Sequence, residues 1–204
     1  MHNDCRKEFP SEAFYGLPAN VEFCQRCVVS NQRPSSIKEQ AHQRDGVKEV
    51  IAFKEGLCDA CSVAQLKVDI DWERRSAQLN ELLGKYRSRN GSYDCIVPGS
   101  GGKDSMMQAW LLKYKYGMNP LTVTWAPHIY TDWGRENFYR WIGAGFDNEL
   151  VTPNSLLHRL LTRLAFDNLY YPFQPFVIGQ RHVASKVALL RNIPLIFYGE
   201  SGAE

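Results

Sequence analysis

No run of apolar residues in this 204-residue chain approaches the ~20 that a membrane-spanning helix needs. Its start, Met1 to Lys7, is too polar for the apolar stretch of a signal peptide. Both absences predict a cytoplasmic chain with no membrane partner. A strong excess of charge is missing too: 24 basic against 22 acidic residues leave a formal net charge of +2, which disfavours nucleic acid as a partner. No internal repeat or low-complexity segment stands out. Of six cysteines none follows Cys95, and residue 2 is His2, so a nucleophilic thiol is absent both directly behind the first methionine and from the later part of the chain. The remainder is ordinary globular material, 44% hydrophobic and 23% charged, enough for one α/β domain and a small accessory module.

Four of the cysteines form two matched pairs, Cys24-Gln-Arg-Cys27 and Cys58-Asp-Ala-Cys61. Thiols in a reducing compartment more often bind metal than pair as disulfides. Each Cys-x2-Cys turn can aim two thiolates at one ion, and two such turns complete a tetrahedral zinc site with no open position for catalysis. The spacing predicts structural zinc on Cys24, Cys27, Cys58 and Cys61; an iron–sulfur cluster and unligated thiols are the alternatives. Val47 to Phe53 reads as a strand feeding the second turn through Gly56, as in a zinc ribbon. Cys5 falls in an N-terminal arm, and Cys95 reads as a small core residue.

The expected organisation is an arm over 1–23, a zinc-binding module over 24–70, a linking helix over 71–91 and an α/β domain over 92–204. In the linking helix Trp72, Leu79, Leu82, Leu83 and Tyr86 recur at helical spacing, with Asp71 placed to cap the start and Asn90-Gly91 to stop it. Its basic residues, among them Arg74, Arg75 and Arg87, read as a solvated face rather than an RNA contact. From Ser92 onward strands and helices alternate as in a parallel sheet covered on both faces. Strands are predicted at 94–98, 121–125, 148–151, 175–178 and 194–198, and helices at 105–116, 135–144, 154–169 and 180–192. The chain stops directly after the last of these strands, which predicts that it is a fragment of a longer protein.

Between the first strand and its helix lies Ser100-Gly101-Gly102-Lys103-Asp104-Ser105. A glycine-rich turn at a helix start offers backbone N–H groups and the positive end of the helix dipole to an anion. Two glycines permit close approach, Ser100 and Ser105 can donate hydroxyl hydrogen bonds, Lys103 adds a point charge, and Asp104 is a candidate magnesium-side carboxylate. The turn is neither a Walker A loop, since Val97 stands where the first glycine is required, nor a dinucleotide fingerprint, since Asp104 takes the third glycine's place. Ligands of open parallel sheets bind at the carboxyl ends of strands, which also draws attention to Thr124, Trp125, His128, Arg181 and Glu200. Arg181 could grip a phosphate or carboxylate, Glu200 could hold magnesium or orient a substrate, and His128 beside Pro127 reads as structural. From Thr152 to Pro194 the acidic residues reduce to Asp167 against five basic ones, a local excess that would suit an anionic second substrate, a partner surface or tRNA.

The six-residue turn resembles the Ser-Gly-Gly-x-Asp-Ser signature of the PP-loop ATP pyrophosphatases. The turn, Cys-Gln-Arg-Cys-Val-Val-Ser at 24–30, Gly-Leu-Cys-Asp-Ala-Cys at 56–61, Asp-Trp-Glu-Arg-Arg at 71–75, Leu-Thr-Val-Thr-Trp-Ala-Pro-His at 121–128 and Phe-Tyr-Gly-Glu-Ser-Gly-Ala-Glu at 197–204 together resemble the N-acetyl sugar amidotransferases of bacterial surface-polysaccharide (O-antigen, lipopolysaccharide) biosynthesis. Where that family's pattern has Gly-Glu-Asn, this chain has Glu200-Ser201 after the glycine. The resemblance implies a PP-loop ATPase core behind a zinc-ribbon-like module. It implies ATP and magnesium bound by Ser100, Gly101, Gly102, Lys103, Asp104 and Ser105, with Lys103 and Asp104 catalytic and the adenine near Thr124 and Trp125. The reaction implied turns a nucleotide sugar's acetamido group into acetamidino through an adenylylated imidate. With no glutaminase cysteine in the chain, ammonia must come from a separate glutaminase subunit. A tRNA-modifying PP-loop thiolase is the first alternative, disfavoured because such enzymes use cysteines downstream of the loop; a non-catalytic zinc-ribbon adaptor is the second.

Overall fold

A computed structural model describes residues 17–33 and 50–199. The predicted arm below residue 17, the start of the strand predicted from Val47, and Glu200 lie outside the described residues. The chain divides into two compact units, one ending at Trp72 and the other running from Glu73 to Ala203.

In the first unit, β1 (Phe53–Lys54) and β2 (Leu57–Cys58) form an antiparallel hairpin. Its turn residues, Glu55 and Gly56, both have positive φ (53° and 78°), the geometry of a two-residue hairpin turn that follows the natural strand twist. The hairpin runs directly into α1 (Asp59–Leu66) and a 3₁₀ turn (Lys67–Asp69). Facing it, the chain around Cys24 folds back on itself: Cys24 N–H donates to the Val29 carbonyl at 2.7 Å, and Phe23 bridges Ser30. The core of the unit consists of Cys24, Cys58 and Cys61, with Cys27, Val29, Ile51, Phe53 and Leu57 packed against them.

The second unit takes in most of α2 (Trp72–Tyr86) and the elements β3 (Cys95–Pro98), α3 (Lys103–Trp110, continued by a π turn over Leu111–Lys115), β4 (Pro120–Trp125), α4 (Asp132–Gly143), β5 (Asp147–Val151), α5 (Ser155–Leu169) and α6 (Gln174–Arg191). The sheet is parallel, in the order β3-β4-β5, with Cys95 opposite Pro120 and Leu121 opposite Asp147. Alternation along β3 feeds two cores. Cys95 and Val97 join Leu83, Ala109, Leu112, Trp141 and Phe146 on the side of α2, α3 and α4. Ile96 joins Leu121, Val123, Val183, Ala184 and Val187 on the side of α6. This is the expected α/β class: a parallel sheet with helices on both faces.

Three expectations change. Residues 175–178 are not a strand but the first turn of α6: Pro175 is tolerated there, where its missing N–H has no carbonyl to serve. A short apolar run such as Pro-Phe-Val-Ile carries no period that separates strand from helix. Residues 194–198 reach the free edge of β3 but pair with it through a single bridge, Ile96 with Ile196, closed by Ile96 N–H to Leu195 O (2.9 Å) and Phe197 N–H to Ile96 O (2.8 Å). In α2 only Leu83 is buried, with Leu79 packed beside it, while Trp72 and Leu82 face solvent. Arg87 donates to the Tyr116 carbonyl at 2.7 Å, and so caps the end of the helix that follows the loop.

Candidate functional site

The glycine-rich turn leaves β3 at its carboxyl end and becomes α3 at Lys103. Gly101 has φ +90°, and a Cβ there would lie 2.2 Å from the Asn137 carbonyl oxygen of α4. Both the conformation and the space demand glycine. Gly102 differs: nothing lies within 4 Å of where its Cβ would be, so this side of the turn is open. Gly102 is also the cap of α3 and supplies no side-chain oxygen to it. The N–H groups of the first turn are therefore left for an outside acceptor, at the positive end of the helix. Lys103 and Asp104 stand exposed in that turn, Ser100 is exposed just before it, and Ser105 donates its hydroxyl to the Gly102 carbonyl at 3.2 Å. Open backbone N–H groups at a helix start are an arrangement that can receive an anion.

Beneath it runs a buried polar ladder. Asn148 on β5 donates its amide to Thr122 Oγ1 (2.9 Å) and Thr124 Oγ1 (3.0 Å), and Thr124 donates to the Gly99 carbonyl at 2.6 Å. Gly99 in turn donates its N–H to Val123 O at 2.9 Å. Both threonines are fully buried. Thr124 thus anchors the turn from below through its hydroxyl. Asn148 was missed in the sequence, although the polar alternation Thr122-x-Thr124 inside an otherwise apolar strand is its signal. On the other edge Gln108 donates to the Tyr198 carbonyl at 2.9 Å, and a Cβ on Gly199 would meet Ser105 N at 3.0 Å. The chain after the Ile196 bridge is thereby brought against the start of α3.

Trp125 ends β4 with its indole against Gly179 of α6, where a Cβ would come within 2.3 Å of the ring. His158, buried on α5, meets that ring edge-on at 6.2 Å, and His128 lies 4.4 Å from His158 and 5.6 Å from Phe176. Burial, and next the neighbouring His158, lower the pKa of His128. Its aromatic contacts agree with the structural role read for it. Arg181 does not follow a strand end; it lies exposed in the second turn of α6, where a helix replaces the predicted strand. Cys95 is fully buried, and burial, followed by the adjacent Asp94, pushes its thiol up, so it presents no nucleophile.

In the first unit Cys24, Cys27, Cys58 and Cys61 bring their four sulfurs within 4.8 Å of one another. Thiolates around a tetrahedral zinc at about 2.3 Å stand about 3.8 Å apart, so the cluster fits that ion with small adjustment. Backbone amides already treat one sulfur as an anion: the N–H groups of Cys58 (3.3 Å) and Arg26 (3.4 Å) donate to Cys24 Sγ. The Cys58 amide chiefly holds the Cys24 thiol down, at about 6, against burial. The Cys61 thiol is pushed up to about 12, first by its hydrogen bond with Cys27 and then by burial. A divalent ion would displace the remaining protons.

The described residues thus comprise a four-cysteine cluster that could hold zinc and an α/β unit with an open, glycine-rich turn at the end of its first sheet strand. Among them no helix is long and apolar enough to cross a membrane. No protein-family model matches the chain. It is similar to an uncharacterized protein of Methanocaldococcus jannaschii, 35% identical over 77 residues that cover 37% of this chain and 27% of that protein. The chain thus spans about a quarter of the length of this relative over the matched region. Among solved structures it is similar to an NH3-dependent NAD synthetase from Campylobacter jejuni, at 15% identity and a TM-score of 0.42, over 62% of this chain and 56% of that one.

Proposed function

We propose that the second unit binds ATP with its β- and γ-phosphates in the Ser100–Ser105 turn, and that the protein is an ATP-pyrophosphatase-type N-acetyl sugar amidotransferase. The observation that carries this reading is the turn itself. Gly101 is locked against α4, Gly102 is open, and the uncapped first turn of α3 directs its N–H groups outward. That arrangement favours a polyphosphate, and the sequence filling it is the Ser-Gly-Gly-Lys-Asp-Ser of the pyrophosphatase signature.

In this reading the acetamido oxygen of a nucleotide sugar attacks the α-phosphate, pyrophosphate leaves, and ammonia displaces AMP to give an acetamidino group. The chain's own task is electrostatic. The first-turn N–H groups, Ser100 and Lys103 would stabilise the departing pyrophosphate, and Asp104 would stand on the side of its magnesium ion. Thr124 and Asn148 would keep the turn in place. Ammonia would come from a separate glutaminase subunit, and zinc on the four cysteines would be structural, since all four ligand positions are filled by protein.

The test is incubation of the protein with ATP, magnesium, ammonium and a panel of acetamido nucleotide sugars, with products read by mass spectrometry. A sugar lightened by exchange of oxygen for NH, formed together with AMP and pyrophosphate, is the expected result. ATP binding without change in any sugar would overturn the sugar assignment, and sulfur added to bulk tRNA supplied with ATP, magnesium and a sulfur donor would replace it. Failure of ATP to bind would remove the enzyme reading altogether.

A further inference from the structure

The chain that follows the Ile196 bridge is held to the molecule by side chains rather than by the sheet. Its backbone pairing with β3 ends at Phe197, whose N–H donates to Ile96 O at 2.8 Å. Among the described residues neither Tyr198 nor Gly199 makes a backbone–backbone hydrogen bond. A segment with so few ladder bonds opens easily unless something else ties it down. Two contacts do so. Gln108 of α3 donates its amide to the Tyr198 carbonyl at 2.9 Å, and the Tyr198 hydroxyl donates to the Arg181 carbonyl of α6 at 3.3 Å.

Gln108 stands one turn along α3 from Asp104 and Ser105, on the same face of the helix. Gly199 packs at the start of that face: a Cβ on it would lie 3.0 Å from Ser105 N and 3.2 Å from the Asp104 carbonyl carbon. Its φ is not positive, so the missing side chain serves close approach and not backbone conformation. Asn137 of α4 thus closes the turn at Gly101, and Gly199 borders it at Ser105. For a residue that only packs, glutamine is a costly choice at 108. Its Nε2 must face the Tyr198 carbonyl, which can only accept, and its Oε1 is then buried with no partner. An apolar side chain of the same shape would avoid that cost and lose the contact with Tyr198.

We infer that Gln108 is a positioning residue for the ligand of the turn: its amide holds the Tyr198–Gly199 peptide against Asp104 and Ser105 as one wall of the phosphate cradle. The hydrogen bond from Gln108 does there what ladder bonds would do had the sheet continued, and Gly199 is the surface of the wall that meets Ser105. The inference rests on the reading of the Ser100–Ser105 turn as the site of the ATP phosphates.

The test is ATP affinity with magnesium present, read by isothermal titration, beside the melting temperature, for Gln108→Met, Gly199→Ala and the double variant. Methionine keeps the length and volume of glutamine while removing both the donor and the unpaired oxygen. Gln108→Met is expected to melt no lower than a few degrees below the parent and to bind ATP about tenfold more weakly, the worth of one hydrogen bond. Gly199→Ala should weaken ATP by a similar factor, because its methyl pushes the wall off Ser105. Since both act on one wall, the double variant should lose about tenfold to twentyfold, not the roughly hundredfold of independent sites. Parent-like ATP affinity in Gln108→Met overturns the inference and leaves the ATP reading standing, as do single losses that multiply in the double variant. A melting temperature lowered by more than about ten degrees in Gln108→Met makes it a packing residue and also overturns the inference. A parent protein that fails to bind ATP overturns the reading of the turn, and this inference with it.

Discussion

The two units are held together by different means. In the second, a parallel sheet is buried on both faces, and residues such as Trp141, Val97 and Val123 are removed completely from water. Among the described residues of the first, the buried hydrophobic core is three cysteines, with partly buried side chains around them. Three buried cysteines offer little apolar surface against the entropy of ordering a chain, and unpaired thiols repel as they ionise. We expect its order to depend on what the sulfurs bind, and the order of the second unit to depend on packing.

The sharpest way to break that contrast is to remove the ligand set. Cys58→Ser, or a strong chelator, is expected to abolish the ordered structure of the first unit and leave the second with its own cooperative melt, as read by limited proteolysis alongside circular dichroism. A Cys58→Ser protein as protease-resistant as the parent would show that the cysteines are packing residues only.

Within the second unit two adjacent glycines separate structure from binding. Gly101→Ala places a methyl against the Asn137 carbonyl at a left-handed φ of +90°, and is expected to destabilise by roughly 1–3 kcal/mol. Gly102→Ala meets nothing, so its melting temperature should stay within a degree or two of the parent while ATP affinity falls, because the methyl enters the open cradle. Equal melting temperatures for the two variants would mean that the turn is not locked against α4.

Thr124→Val, nearly isosteric, removes the hydroxyl that joins Asn148 to Gly99 and should cost about 1–3 kcal/mol by leaving buried groups unpaired. An unchanged denaturation midpoint would show that the ladder does not hold the turn. The smallest effect is expected from His128. Its folded-state pKa lies below the unfolded value, so the unfolded chain takes up more protons as pH falls through about 6.5, and stability declines from there until the folded-state histidine also protonates. Melting temperature measured between neutral and mildly acid pH should fall less in His128→Phe than in the parent.

Much of the site was legible because its chemistry is local. Cys-x2-Cys turns and a Ser-Gly-Gly-Lys-Asp-Ser segment between a strand and a helix announce themselves by residue type and spacing, and the four sulfurs and the loop–helix junction stand where that pattern puts them. The strand predicted at 175–178 failed for the converse reason. Four apolar residues look alike in strand and helix, and it is the packing of Val183, Ala184 and Val187 on the sheet that carries α6 through them. With that strand went the reading of Arg181 as a strand-end residue.

The sequence by itself determined the α/β alternation, the pairing of cysteines into two Cys-x2-Cys turns and the position of a glycine-rich loop at a helix start, since periodicity, thiol spacing and glycine's backbone freedom act over a few residues. Only the tertiary structure decided that Thr124 lies under the loop and that Asn148 supports it. It alone decided that Gly101 and Gly102 have opposite surroundings, and that Trp125 and His158 meet edge-on. Each of those facts depends on contacts between residues distant in the chain, brought together by burial of the sheet, and no local pattern encodes them.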